Sequence, residues 1–304
     1  DNLVPVPCFP MLIEGNYVDF VVVVDKIGMP EKIVSGTTTI TRSPDRLLIA
    51  ELTAKFCEVT GMLRDGCYMQ AGAGGTSLAI GYYMHQILKA KGQACQLGFG
   101  GTTKYMVQML EEGTMKHILD AQAFDLDAVA SISRNANHHH YPVFNAYNFH
   151  SKGNLTSMMD IMILGATEVD LNYNGNVVTH SDGYLLHGIG GWQNCLHARN
   201  VILPVPLFRD RIPVIVDEVT TLVGPGEMID VIITERGIAI NPKRLDLLDA
   251  VKGSGLPLKT IEQLKAEADA LCGIPKKPRY KDNVVAAIKW VDGTVIDSVR
   301  QLDI

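Results

Sequence analysis

Cys67-Tyr-Met-Gln-Ala-Gly-Ala-Gly-Gly-Thr-Ser77, followed by Ala94-Cys-Gln-Leu-Gly-Phe-Gly-Gly-Thr-Thr103, sets one pattern down twice. A short apolar segment runs into glycines and then into helical periodicity. The first copy predicts a strand at 67–70 and a helix from about Thr76 to Ala90, stopped by Gly92. The second predicts a strand at 94–97, a glycine loop over 98–103 and a helix through Leu110. Repeated strand–glycine–helix units imply parallel βα pairing, hence an α/β fold with a mainly parallel sheet flanked by helices. Ligands of such sheets sit at the carboxyl ends of strands, where both glycine segments fall.

Upstream, Ser43-Pro44 reads as a cap and first turn, opening a helix with a stripe of Leu48, Leu52 and Phe56 that ends near Gly61. Val18-Asp-Phe-Val-Val-Val-Val24 is a β-branched run and reads as a buried strand. Downstream, 125–133 reads as a strand or its approach, and 135–150 as a polar, aromatic loop. Strands follow at 161–164, 168–171 and 176–179, the last two joined by an Asn174-Gly175 turn. Further strands are expected at 201–204, 214–216 and 231–234, and helices at 242–250 and 258–271. The chain divides into a linker with a first strand (1–42), an α/β domain (43–275), and a basic connector with a terminal β-hairpin (276–304). The extended, proline-rich start without Met is expected of a piece of a longer polypeptide.

The 304 residues are 47% hydrophobic and 20% charged, enough for one large core. A net charge of −6 argues against nucleic acid as partner. Six cysteines without a CxxC pair read as reduced, mostly buried thiols of a cytoplasmic protein. No apolar run reaches the roughly 20 residues that span a bilayer, so no membrane contact is expected.

Three groups carry possible chemistry. The glycines Gly72, Gly74 and Gly75 follow a strand and open a helix, which suits an anion or a tight structural turn equally. They fit neither a dinucleotide fingerprint nor a phosphate-binding P-loop. Gly98, Gly100 and Gly101 repeat the device, with Thr102 and Thr103 as hydrogen-bond donors or helix caps. The third group is Gly188-Ile-Gly-Gly-Trp-Gln-Asn194, where amides near Gly190 and Gly191, helped by Gln193 and Asn194, suit an oxyanion. His180 and Asp182 are acid–base candidates or ordinary surface groups. Glu168 and Asp170 share one strand face, solvated or functional. His138-His-His140 alternates in direction and lacks ligand spacing, so no metal is expected.

Taken in order, Glu168-Val-Asp-Leu, Gly188-Ile-Gly-Gly191 and Ile233-Thr-Glu-Arg-Gly-Ile-Ala239 resemble signature segments of the CoA-transferase superfamily. Met69-Gln-Ala-Gly-Ala-Gly-Gly-Thr-Ser77, Asn137-His-His-His-Tyr-Pro-Val143 and Gly190-Gly-Trp-Gln-Asn194 are most similar to its citrate lyase alpha-subunit branch, second half. The resemblance implies a CoA-transferase-like α/β fold shared with ribose-5-phosphate isomerase and glucosamine-6-phosphate deaminase. It implies a thioester substrate, either acetyl-CoA or the phosphoribosyl-dephospho-CoA arm of an acyl carrier protein, whose acetyl group is exchanged for citrate. Implied partners are the acyl carrier (gamma) subunit, the lyase (beta) subunit and the N-terminal half of the same subunit, in an oligomer. Many CoA-transferases carry a catalytic glutamate that aligns near Thr102, where this chain has no carboxylate, so the substrate's own carboxylate is expected to attack. Gly190, Gly72–Gly75 and Gly98–Gly101 are then expected to contact the cofactor arm. Gly191, Gln193 and Asn194, with Thr102, Asn137 and His180, are expected to position the acid. Alternatives are another CoA-transferase or a citramalate-type homologue, a sugar-phosphate isomerase or deaminase on the same fold, and a non-catalytic docking domain.

Overall fold

The computed structural model describes residues 15–29, 38–72, 74–141, 146–148 and 154–303. Helix α1 (Pro44–Val59) opens with Ser43 in an extended conformation and Pro44 in the first turn, a position where proline's missing N–H costs nothing. Its buried stripe is Ile49, Thr53, Phe56 and Cys57, while Leu48 is exposed. The expected stripe holds at Phe56 and is displaced by one residue at Leu48 and Leu52, where Ile49 and Thr53 are buried instead. Strand β1 (Tyr68–Ala71) follows, then α2 (Gly75–Lys91), which ends at Gly92 in a left-handed conformation (φ 63°). Next come β2 (Leu97–Thr102), α3 (Lys104–Glu111), β3 (Ile118–Ala123), α4 (Leu126–Arg134) and β4 (His138–His140). The second half holds β5 (Ile161–Ile163), β6 (Glu168–Asp170), β7 (Gly175–Asn176), α5 (Trp192–Cys195) and β8 (Val201–Pro204). Then follow β9 (Phe208–Arg209), β10 (Ile212–Pro213), β11 (Ile215–Val216), β12 (Val231–Thr234) and β13 (Gly237–Ile240). Helices α6 (Leu245–Ala250) and α7 (Ile261–Cys272) precede a hairpin of β14 (Tyr280–Lys289) and β15 (Val295–Leu302).

Eight strands form one sheet in the order β13-β12-β8-β5-β1-β2-β3-β4. Every neighbouring pair is parallel except β12–β13 at one edge. The mainly parallel α/β sheet inferred from the repeated motif is present. One face carries α1 and α2 over a core of Ile49, Phe56, Met69, Ile80 and Met84. The other is covered by the segment around β6, β7 and β11, by α7, and by Ile288 and Val299 of the hairpin. Both faces are thus buried, which explains the continuous apolar runs of β5, β8 and β12.

Several expectations need correction. The run 18–24 forms no strand; Val21 is 84% and Val23 94% exposed, with no strand of the described residues beside it. The glycine segment 98–102 is no loop but strand β2 itself. Residues 126–134 are a helix, capped by Asp125 accepting from Ala128 N at 2.8 Å. His138–His140 adds an edge strand inside the expected loop. Glu168 and Asp170 are both 1% exposed, so they form no solvated face. The linker residues 1–14, and 142–145 and 149–153 of the expected loop and its sequel, lie outside the described residues.

Candidate functional site

The chain passes from β1 outward to β2, β3 and β4, then returns to β5 on the other flank of β1 and continues to β8 and β12. Connections after β1 and β5 therefore leave in opposite directions. A crevice opens at the carboxyl ends of such a strand pair, because no crossover covers it. A cavity of about 790 Å³ lies there. Its floor comes from strand ends: Gln70 of β1 and Gly72 after it, Gly101 of β2, Gln122 of β3 and Leu164 after β5. Its far wall is the segment from His187 to Cys195, and Tyr147 and Phe124 close the sides.

Each wall residue is held by a local device. Trp192 Nε1 donates to Gly165 O at 2.8 Å, tying α5 to the loop after β5. Asn194 Nδ2 donates to Tyr147 O at 2.7 Å. Gly191 lies against the Tyr147 ring, where an added Cβ would sit 3.0 Å from it. Gly190 adopts φ 59°, which glycine tolerates best. Gln70 spans the floor: with its amide oriented to satisfy both neighbours, it donates to Ile163 O at 2.9 Å and accepts from Gly72 N at 3.2 Å.

The electrostatics of the lining are one-sided. It contains amides, aromatic rings, a histidine and a thiol, but no carboxylate. Burial pushes the Cys195 thiol up to about 12, so it stays protonated and is a poor nucleophile. Burial also raises the Tyr147 phenol above its usual range, leaving an O–H donor. The backbone N–H groups of Gly190 and Gly191 have no hydrogen-bond partner among the described residues. The arrangement offers donors to a negative oxygen and no group of its own to attack a carbonyl.

Of the residues singled out from sequence, Gly72, Gly101, Gly190, Gly191 and Asn194 are brought together here. The others lie elsewhere. Gly98 is closed in by Met115, and Gly100 (φ 105°) by Gln70. Thr102 is fully buried, with its hydroxyl unpartnered among the described residues. Gln193 is buried and donates to Val223 O at 2.9 Å, a structural bond. His180 is half-buried in a turn closed by Gly183 N, 2.8 Å from His180 O, and does not line the cavity. Asn137 lies beside β4, where its carbonyl accepts from Ile118 N at 2.9 Å. Gly74 and Gly75 begin α2 on the far side of the loop.

Sequence reasoning missed Gln70, Gln122, Phe124, Tyr147 and His187. Gln70 was within reach, as the last polar residue of a strand entering a glycine turn. Gln122 lies in, and Phe124 just after, a strand that the pattern did not display.

Two other polar clusters look catalytic and are structural. His138 bonds Ser131 Oγ at 2.7 Å through one ring nitrogen and Asp120 at 3.2 Å through the other, but the His138 and Asp120 side chains are fully buried. Glu168 accepts from Asn176 Nδ2 (2.8 Å), Thr220 N (2.7 Å), Thr220 Oγ1 (2.9 Å) and Ser181 Oγ. A carboxylate so fully bonded pins β6, β7 and the 220 loop together. Among the described residues, no group of three or more His, Cys, Asp or Glu could hold a metal. Among the described residues, no helix is long and apolar enough to cross a membrane.

The family model for the citrate lyase alpha subunit matches residues 1–302. The chain belongs to the citrate lyase alpha-subunit family. It is 39% identical to the citrate lyase alpha chain of Klebsiella pneumoniae over 99% of its length and 60% of the relative's. With that of Escherichia coli it shares 37% identity, over 99% and 59%. The chain thus spans about three fifths of the curated relatives it matches. An alpha subunit of citrate lyase from Streptococcus mutans, solved in complex with citrate, superposes with a TM-score of 0.92 at 41% identity, over 98% of this chain and 59% of that one. The alpha subunit of a malonate decarboxylase from Acinetobacter baumannii shares the fold at a TM-score of 0.55 and 16% identity, covering 86% of this chain and 58% of that one.

Proposed function

We propose that the cavity at the carboxyl ends of β1 and β5 is one wall of an acyl-transfer site, at which citrate replaces acetate on a thioester. The carrying observation is a donor-rich lining without a carboxylate or an ionised thiol. A carboxylate oxygen of citrate attacks the acetyl thioester carbonyl, forming a citrate–acetate anhydride and releasing the thiolate. The thiolate then attacks the citryl carbonyl of the anhydride, giving citryl thioester and free acetate. Each attack turns a carbonyl oxygen into an oxyanion, for which the N–H groups of Gly190 and Gly191 are the candidate donors. Asn194 and Gln70 would orient the acid, and the gain comes from holding two reactants together rather than from an enzyme nucleophile.

On this reading the thioester is carried by an acyl carrier arm or by CoA, and a separate lyase subunit consumes the citryl product. The remaining part of a longer alpha subunit would supply the opposite wall, in an oligomeric, cytoplasmic complex. The test is to incubate the protein with radiolabelled acetyl thioester, with and without citrate. Label should leave as acetate only when citrate is present, with none retained on denatured protein. A hydroxylamine-sensitive acyl ester on this chain would overturn the reading.

A further inference from the structure

We propose that a second cavity, on the far side of the 71–75 loop, binds a multiply charged oxyanion through Arg42 and Arg46. This cavity of about 590 Å³ is lined by Thr39, Thr41, Arg42, Arg46, Gly75 and Tyr105. It shares no lining residue with the acyl-transfer cavity.

Two cations line it, and two more stand beside lining residues. Arg42 and Arg46 line it, and both are exposed. Lys104 Nζ lies over the ring of the lining Tyr105, 5.3 Å from its centre. Arg209, half-buried and donating to Ala166 O at 2.7 Å, is close enough to Arg46 for the two to repel. Desolvation and that repulsion both lower the Arg209 pKa from its usual value. None of the four has an ion-pair partner among the described residues. Asp45, between the two lining arginines in sequence, pairs with neither. Arg64 and Arg199, by contrast, pair with Asp160, and Arg244 pairs with Asp230. Like charges left together without a counter-ion raise the free energy of the empty site, and an anion relieves it.

The floor of the cavity is built rather than incidental. Thr41 N donates to Gly75 O at 3.1 Å, and Ser43 N to Thr41 Oγ1 at 3.2 Å. A Cβ on Gly75 would stand 2.9 Å from Thr41 N and 3.2 Å from Thr39 O, so glycine there lets the 39–41 segment lie flat against the start of α2. The starts of α1, α2 and α3 all lie at the carboxyl edge of the sheet. That edge carries the acyl-transfer cavity too.

Guanidinium forks suit paired oxygens, so the ligand class is a tricarboxylate or a pyrophosphate-like group. The choice between them rests on the proposed function; the site itself does not, because calorimetry reads it without any exchange chemistry. Titrations of citrate and of dephospho-CoA into the purified protein are compared with Arg42→Ala/Arg46→Ala and Arg42→Lys/Arg46→Lys. The alanine pair should weaken one anion about 100-fold, roughly tenfold per charge-assisted contact, with the melting temperature unchanged. The lysine pair should recover part of that loss. Loss confined to citrate assigns the site to the acid, and loss confined to dephospho-CoA assigns it to the thioester arm. Affinities within threefold of wild type for both anions, or no binding of either to the wild type, would overturn the proposal, whether or not the protein exchanges thioesters.

Discussion

Two glycine segments that read alike in sequence serve different physical ends. After β1, Gly72 and Gly74 have room around them: a Cβ on Gly72 would meet nothing closer than Gln70 at 3.6 Å, and one on Gly74 nothing within 4 Å. Within β2, a Cβ on Gly98 would lie 2.3 Å from the Met115 sulfur, and one on Gly101 only 1.7 Å from the Phe124 ring. In the first segment Gly72 and Gly74 serve torsional freedom and an open approach to a cavity, while Gly75 lets the 39–41 segment pack closely. In the second, Gly98 and Gly101 let neighbouring side chains fall onto a strand. A glycine's neighbours, then, decide whether it serves ligand or core.

The difference is tested most severely at Gly101. An alanine there drives the Phe124 ring, which also lines the cavity, out of place. Overpacking of this kind costs about 3 kcal/mol, the upper part of the usual range. Denaturant melts should show that loss for Gly101→Ala. Adding Phe124→Leu should restore much of it, since contacting substitutions are not additive. Additive losses would mean that the ring is not what glycine accommodates.

Gly74→Ala should cost about 2 kcal/mol for a different reason, its backbone being at φ 113° with empty space around it. No second-site truncation should relieve that strain. Gly98→Ala should cost less, about 1 kcal/mol, because its obstruction is the flexible end of Met115. If Gly98→Ala proves more damaging than Gly101→Ala by the same melts, strand β2 is not packed as described.

The sequence disclosed the parallel core because strand, glycine and helix alternate there with strong period changes. The strand order could not be read, since the return from β4 to β5 depends on packing across the sheet. Asp125 was misread because β3 before it ends in polar residues, Asp120-Ala-Gln122, that hide a strand, while the helix after it is short. The run 18–24 shows the reverse error: strong β-propensity with no strand of the described residues beside it. For the cavity, the glycines and Asn194 were legible as backbone devices. Tyr147 and Phe124 were not, because aromatic residues in loops carry no periodic signal. Gln193 and Asn194 are adjacent and chemically alike, yet one bonds Val223 in the core and the other lines the cavity. Only the orientation of a four-residue helix separates them.

The smallest stability effect is expected at Gly72, and it is the most informative about function. Its φ lies outside the left-handed range, and its nearest neighbour is at ordinary contact distance. Gly72→Ala should therefore change stability by no more than about 0.5 kcal/mol. The methyl group would nevertheless stand beside the Gln70 amide at the cavity floor. If the thioester approaches the backbone there, exchange should fall at least about tenfold, equivalent to roughly 1.4 kcal/mol of lost transition-state binding. Bulk at the position can be graded by extending the substitution to Val, with each variant's melt measured beside its rate. Rates that track melting temperature would make Gly72 another packing glycine. Rates that fall while melting holds would set it apart from Gly98 and Gly101 and tie the open segment to the ligand.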